Sequence, residues 1–445
     1  MPIPDSTLEE IAHRAEDIAS RLNAEFPGAS PRRQPVHTVY GGAHLFKAGT
    51  AGRLGQLAQA SLDRYAPDAD AFGKAVGMPG SAGLAGQVFD RMRAKLLTEP
   101  VEDFRLDFED GYGNRPDQEE DGHCRSAAAE VATGMREGGL SPFIGVRIKP
   151  LSGELHRRSI RTLDLFISSL MEEAGGLPDN FVVTLPKVQD PEQVDLLAVA
   201  LTGLEGSLGM AEGTIQCELM VETPQSVLGP DGLAGLRRYV SAGRGRVIGA
   251  HFGTYDYTAS LDITAAHQTM THPACDFARD IQQVSLAGTG IWLSDGATNV
   301  LPVAVHNGPD FTEAQQEDNL RGVHAAWRLH FQHVRHSLSH AYYQGWDLHP
   351  AQLPTRYAAV YSFFLEGLDQ AGERLSNFVG KAAQATLVGE VFDDAATGQG
   401  LLNFFLRAIN CGAVTEDEVV DRTGLSLGEL QTRSFVKILS ARRSA

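Results

Sequence analysis

The sequence predicts a (β/α)8 barrel, and three observations carry that prediction. Short β-rich runs recur about eight times with helical stretches between them, many of those runs are apolar throughout, and several end in acids beside a glycine or a proline. Strand–helix alternation is the signature of a parallel α/β sheet, and strands buried on both faces read as apolar runs. Acids at strand carboxyl ends fit a barrel, whose chemistry gathers on that face. An open, doubly wound sheet is the alternative, because a pattern of elements does not show closure.

The strands are expected at Val36–Tyr40, Phe104–Glu109, Phe143–Ile148, Phe181–Val188, Gln216–Glu222, Val247–Phe252 and Gly290–Leu293, with a weaker eighth at Gly345–His349. Helices are expected between them, among them Cys124–Glu137, Ile160–Glu173 and Pro191–Leu204. The first connection is long and holds a Gly-rich piece, residues 77–86, before an amphipathic helix at Gln87–Leu97. It has neither a G-K-[ST] ending nor G-x-G-x-x-G spacing. Glycine amides ahead of a helix can hold a phosphate, and a lid or a plain connector is the competing reading. From about residue 355 the pattern is purely helical, with capping boxes at Thr415–Glu418 and Ser426–Glu429. The expected division is therefore a barrel with an N-terminal helix and a Gly-rich insertion near 67–90 over residues 1–354, and a helical extension over 355–445.

A chain of 445 residues has room for one large domain and an accessory one. Its formal charge of -18 argues against nucleic-acid and anionic-membrane partners, both of which need basic patches. Four scattered cysteines with no C-x-x-C pair fit a reducing cytoplasm better than a disulfide framework. The first 22 residues form an amphipathic helix rather than a signal peptide, and no apolar run is long enough to span a membrane. A cytoplasmic homo-oligomer is expected, the C-terminal helices serving as a packing or oligomer element.

The chemistry concentrates in a few segments. Phe104–Gly113 runs as a strand into Glu109, Asp110 and a Gly-rich turn, as a site rim would. Glu222 ends its strand before Thr223-Pro224, where proline stops the ladder, and Asp256 follows the next strand. Neighbouring strands would bring both carboxylates to one rim, and two carboxylates with substrate oxygens and waters make a typical Mg²⁺ site. Solvated turn acids are the bland reading of either alone.

Arg147 lies inside an apolar strand and must meet a carboxylate of the protein or of a ligand. It is expected to grip a substrate carboxylate or carbonyl oxygen bidentately, with a structural salt bridge to Glu109 as the competitor. Lys187 stands at an equivalent strand end as a supporting charge for substrate; a Schiff-base role is conceivable but redundant. His37 and His44 flank the first strand and could serve as acid or base. His251 is as readily a satisfied core histidine as a functional one. His330, His333, His336 and His340 share one helix, where a polar face is favoured over a metal face.

Several segments together resemble the HpcH/HpaI aldolase and citrate lyase beta-subunit family of the phosphoenolpyruvate/pyruvate-binding barrels. They are Asp107-Phe108-Glu109-Asp110-Gly111, Gly145-Val146-Arg147, Leu185-Pro186-Lys187-Val188, Met220-Val221-Glu222-Thr223-Pro224 and Phe252-Gly253-Thr254-Tyr255-Asp256-Tyr257, followed by His272-Pro273 and Trp346–Gln352. The resemblance implies a barrel whose Mg²⁺ or Mn²⁺ is held by Glu222 and Asp256, with Arg147 on the substrate and Glu109 or Asp110 around the metal through water. The chain departs from the family in its long Glu222–Asp256 gap, its Asp347-Leu348 pair before His349, its Gly-rich first connection and its long tail, which points to a distinct branch. The function expected is a metal-dependent carbon–carbon lyase of the aldolase type, acting on a small oxo-acid or acyl-thioester through a stabilised enolate. A water on the metal, Asp110 or His44 could be the base. Phosphoenolpyruvate-type enol or phosphoryl chemistry and a non-catalytic oxo-acid-binding barrel are the alternatives.

Overall fold

The computed structural model describes residues 3–28, 30–308, 310–380, 386–388, 391–393 and 395–444. Eight parallel strands close into a barrel in sequential order: β1 (His37–Gly42), β2 (Asp103–Asp107), β3 (Phe143–Arg147), β4 (Phe181–Leu185), β5 (Gln216–Val221), β6 (Val247–Phe252), β7 (Trp292–Ala297) and β8 (Gln344–Asp347). Closure is made where His37–Val39 of β1 pair with Gly345–Asp347 of β8. The open-sheet alternative is thereby excluded.

The helices before β6 are α1 (Asp5–Glu25), α2 (Thr50–Tyr65), α3 (Ala69–Val76), α4 (Ala82–Thr98), α5 (Asp117–Glu137), α6 (His156–Ala174), α7 (Pro191–Ser207), α8 (Pro224–Val227) and α9 (Leu236–Ala242). After β6 come α10 (Thr254–Ser260), α11 (Pro273–Leu286), α12 (Glu313–Ser339), α13 (Leu353–Leu365), α14 (Leu368–Gly380), α15 (Ala395–Asn410), α16 (Glu416–Thr423), α17 (Leu427–Gln431) and α18 (Phe435–Ser444). Helix α1 buries none of its residues and leaves Ile11, Ile18 and Leu22 exposed. No helix among the described residues is long and apolar enough to cross a membrane.

The first connection folds as three helices rather than one. Gly77 takes the left-handed cap of α3, Ser81 caps α4, and Arg328 of α12 donates to the carbonyls of Lys74 and Ala75. Residues 77–86 thus lead from α3, packed on α12, into α4, packed on α13. The expected boundary at 354/355 falls inside α13, whose Arg356 holds Asp347 of β8 and whose Tyr357 hydroxyl donates to Pro100 O. This helix is the eighth of the barrel's outer layer. The tail beyond it is not purely helical, since Thr386–Val388 and Val391–Asp393 pair as antiparallel strands. Thr415 and Ser426 form the expected capping boxes of α16 and α17, and Arg91 of α4 reaches Glu418 and Ala413 O, tying the tail to the barrel.

The barrel interior departs from the expected apolar runs. On β2, Asp103, Arg105 and Asp107 alternate with Phe104 and Leu106 and all are buried. Side chains two apart share a face of a strand, so a charged row lies on one face of β2. Arg105 donates to Glu218 Oε2 of β5 at 3.3 and 2.9 Å and pairs with Asp103. Burial alone would raise the pKa of Glu218, but Arg105 outweighs it and holds the group below the ordinary range. His251 completes the layer with Nε2 3.2 Å from Glu218. Its Nδ1 lies 3.2 Å from both Trp346 Nε1 and Tyr40 Oη. Because an indole nitrogen only donates, Nδ1 accepts and Nε2 carries the proton toward Glu218. His251 is a satisfied interior histidine.

Candidate active site

Five carboxylates converge at the strand carboxyl ends around two cations. Asp107 ends β2, and the chain turns over it: Oδ1 accepts from Glu109 N at 3.0 Å and Oδ2 from Gly111 N at 2.7 Å. A Cβ on Gly111 would stand 2.6 Å from that Oδ2, so only glycine permits the turn. The turn turns Glu109 inward, buried, and leaves Asp110 exposed.

Arg147 ends β3 and is 4% exposed. Its Nε and Nη2 donate to the two oxygens of Asp107 at 2.7 and 2.5 Å, and its guanidinium lies 4.7 Å from the Tyr40 ring centre. The hydrogen-bonded partner is Asp107, which sequence reasoning passed over, and Glu109 is a second partner through charge alone. The Nε/Nη2 edge of the fork is engaged within the protein, so a substrate would meet Arg147 from the Nη1 side. Nη1 faces the site, 3.2 Å from Glu109 Oε2 and 3.9 Å from Asp110. The contact with Oε2 is a charge contact only, and that buried oxygen makes no hydrogen bond.

Lys187 is the hub of the cluster. It follows β4 in a left-handed conformation, φ 51°, which costs a non-glycine residue about 1 kcal/mol or more. That conformation points its backbone N–H at Glu222 Oε1, 2.7 Å away. Its ammonium contacts Glu109, lies 3.1 Å from Asp110 and stands 3.7 Å from Asp256 Oδ1. Burial pulls the Lys187 pKa down, but the charges of Glu222 and Glu109 outweigh it and hold the amine well above its usual range. An ammonium so held is no Schiff-base nucleophile near neutral pH.

Glu222 and Asp256 follow the adjacent strands β5 and β6, whose ends pair as Val221 and Phe252. Glu222 is 1% exposed, whereas the Asp256 side chain, in the first turn of α10, is 43% exposed. A Cβ on Gly253 would come within 2.4 Å of Glu222, so the glycine makes room for this carboxylate. Burial and then the charge of Asp256 push Glu222 up to about 8. Burial also raises Glu109, against the pull of Arg147 and Lys187. Asp110 moves the other way, because Lys187 overcomes its burial.

With all five ionised, Asp107, Glu109, Asp110, Glu222 and Asp256 set five negative charges against the two positive charges of Arg147 and Lys187. The excess of three, the orphaned Glu109 oxygen and the strained proton affinity of Glu222 are what a hard divalent cation relieves. The all-oxygen donor set fits Mg²⁺ or Mn²⁺ chemistry.

His44 is not drawn into this cluster by any contact among the described residues. Its ring lies 5.4 Å from Tyr112 and 5.8 Å from His123, and burial and the charge of Arg115 keep its pKa low. His37 is wholly interior, with Nδ1 2.8 Å from Asp347 and Nε2 accepting from Glu102 N. Asp347 also takes Arg356 and His330, so the Asp347-Leu348 departure is an internal charge network rather than a rim group. The four-histidine helix face divides: His330 and His333 are buried, and His336 and His340 meet Asp276.

One family profile matches residues 15–438, that of the domain of unknown function DUF6986. The chain belongs to that family. No curated protein matches it. Among solved structures, a citrate lyase from Burkholderia xenovorans superposes with a TM-score of 0.56 at 17% identity, covering 88% of this chain and 96% of that one. A Haloferax volcanii malate synthase, solved as a magnesium/glyoxylate complex, superposes with a TM-score of 0.45 at 13% identity, covering 91% and 96%. The likeness to that citrate lyase is one of fold, a closed barrel of eight parallel strands.

Proposed function

We propose that this chain is a divalent-cation-dependent carbon–carbon lyase of the aldolase type, acting on a small oxo-acid or its thioester. The observation that supports it is the acidic cluster at the barrel mouth, with its three uncompensated negative charges beside a positioned arginine and lysine. Glu222 and Asp256 are the residues that would hold the cation, Mg²⁺ or Mn²⁺. When bound, the ion supplies Lewis-acid polarisation of oxo-acid oxygens.

The protein's own groups supply the rest. Asp107 locks Arg147 so that Nη1 is aimed at the space beside Glu109, where it can donate to an oxyanion without reorganising. Lys187 adds a second fixed positive charge, steadied by Glu109 and Asp110. Substrate arriving with a carboxylate replaces the protein acids that now pair with these cations. Asp110 is exposed and ionised, and takes the proton that leaves the substrate hydroxyl on cleavage. The domain division, oligomer formation and a cytoplasmic setting are parts of the same proposal.

The half-reaction tests the class without knowledge of the second substrate. The chain should exchange the methyl protons of pyruvate, or a related oxo-acid, with deuterium in the presence of Mg²⁺ or Mn²⁺. Exchange should be lost in Glu222→Ala. A folded protein whose melting point responds to Mg²⁺, yet exchanges no oxo-acid, would overturn the lyase reading in favour of an oxo-acid-binding barrel.

A further inference from the structure

We propose that Asp276, His336 and His340 form a second metal site, for a transition-metal ion of the zinc class, on the outer wall of the barrel. Asp276 lies in the first turn of α11, His336 in the last turn of α12, and His340 caps α12. One ligand atom from each falls within 4.8 Å of the others. Ligand atoms around a tetrahedral zinc stand about 3.3 Å apart, so closure of at most about 1.5 Å completes the site.

Three features make this more than a polar helix face. The two imidazoles are four residues apart on α12 and their ring centres are only 4.4 Å apart, which brings two nitrogen donors to one spot. His340 Nδ1 is fixed 3.0 Å from the His336 carbonyl oxygen, leaving Nε2 for an ion. A backbone carbonyl on the other ring nitrogen is the usual support of a ligating histidine. Asp276 is similarly oriented: Arg279 Nη1 donates to Oδ1 at 2.7 Å, while Oδ2 has no partner among the described residues. His336 Nε2 stands 2.8 Å from that Oδ1, a proton-sharing contact that an ion would replace.

Two imidazoles and a carboxylate are a zinc-type donor set, unlike the all-oxygen set at the barrel mouth. The fourth position is left to water. Bound there, the ion joins α11 to α12. Arg279, which orients Asp276, also holds Asp295 of β7 at 2.9 Å, so the junction reaches the barrel wall.

The test is calorimetric titration of the chelator-treated full-length chain with Zn²⁺, repeated with Co²⁺ while visible absorption is followed. In the Asp256→Ala background, which disables the site at the barrel mouth, one equivalent should bind. His340→Ala should weaken it more than about 100-fold, the upper end of what loss of a supporting group alone costs. Asp276→Asn, which keeps the shape and removes the charge, should weaken it as well. No bound equivalent in Asp256→Ala, or an equivalent there that survives both His340→Ala and Asp276→Asn added to it, would overturn the proposal.

Discussion

Replacing Glu222 by glutamine tests how the mouth of the barrel stores charge. Glutamine keeps the side-chain shape and the oxygen that accepts from Lys187 N, and removes only the ionisation. The carboxyl is held near 8 in the folded chain against an ordinary 4.5. Between those values the folded state keeps a proton that the unfolded chain has lost, so stability falls as pH rises. The contribution is whole below about pH 4.5 and gone above about pH 8. At about 1.36 kcal/mol per pH unit, the full interval amounts to at most about 5 kcal/mol. Urea denaturation in EDTA, repeated from pH 5 to 9, should show the unaltered chain losing more stability than Glu222→Gln across this window. Adding Mg²⁺ should reverse the loss in the unaltered chain only, because the cation binds the ionised carboxylate and its linkage stabilises the native state. Parallel pH curves for the two proteins, with or without Mg²⁺, would refute both the buried proton and its role in cation binding.

Other consequences are equally direct. Arg147→Lys keeps the charge but loses the fork on Asp107, and should cut oxo-acid exchange by about 10²–10³; undiminished exchange would remove Arg147 from the mechanism. Arg147→Met leaves Asp107 buried without a cation and should lower stability by about 3–5 kcal/mol, measured by denaturant midpoint, with Arg147→Lys losing clearly less. Removing Thr415–Ala445 breaks the Arg91–Glu418 contact and uncovers the faces of α14 and α15 on which α16 and α17 pack; it should impair solubility or assembly while Mg²⁺ affinity, followed by thermal shift, stays within about twofold of the full chain.

Much of this architecture is legible in the sequence, and the parts that are not share a cause. The eight strands announce themselves because parallel barrel strands are short and bounded by turn residues, and the expected span at 247–252 coincides with β6. Edges drift elsewhere: the strand expected to end at Glu109 stops at Asp107, because the Asp107 carboxylate captures the next amides and turns the chain. The two helices missed before residue 87 belong to a connection read for its glycines alone, although Asp68, which caps the second of them, is an ordinary helix cap.

The candidate site shows the limit of reading residues singly. Glu109, Asp110, Glu222 and Asp256 stand out because each follows a strand, and the fold does gather them around Lys187. Asp107 was overlooked for the opposite reason: it lies within the strand, where an acid reads as core background. Its signal was nonetheless present, since Asp103, Arg105, Asp107 and Glu109 repeat with period 2 and so share one face. A row of charges on the inward face of a closed barrel cannot remain unpaired. It demands opposite charges from other strands, and the structure supplies them as Glu218 for Arg105 and Arg147 for Asp107. The lower pair is closed upon itself, whereas the upper end, at Glu109, has more acid than the protein neutralises. The charged column therefore leads from a satisfied interior to an unsatisfied mouth, and the imbalance sits where a cation and an oxo-acid would enter.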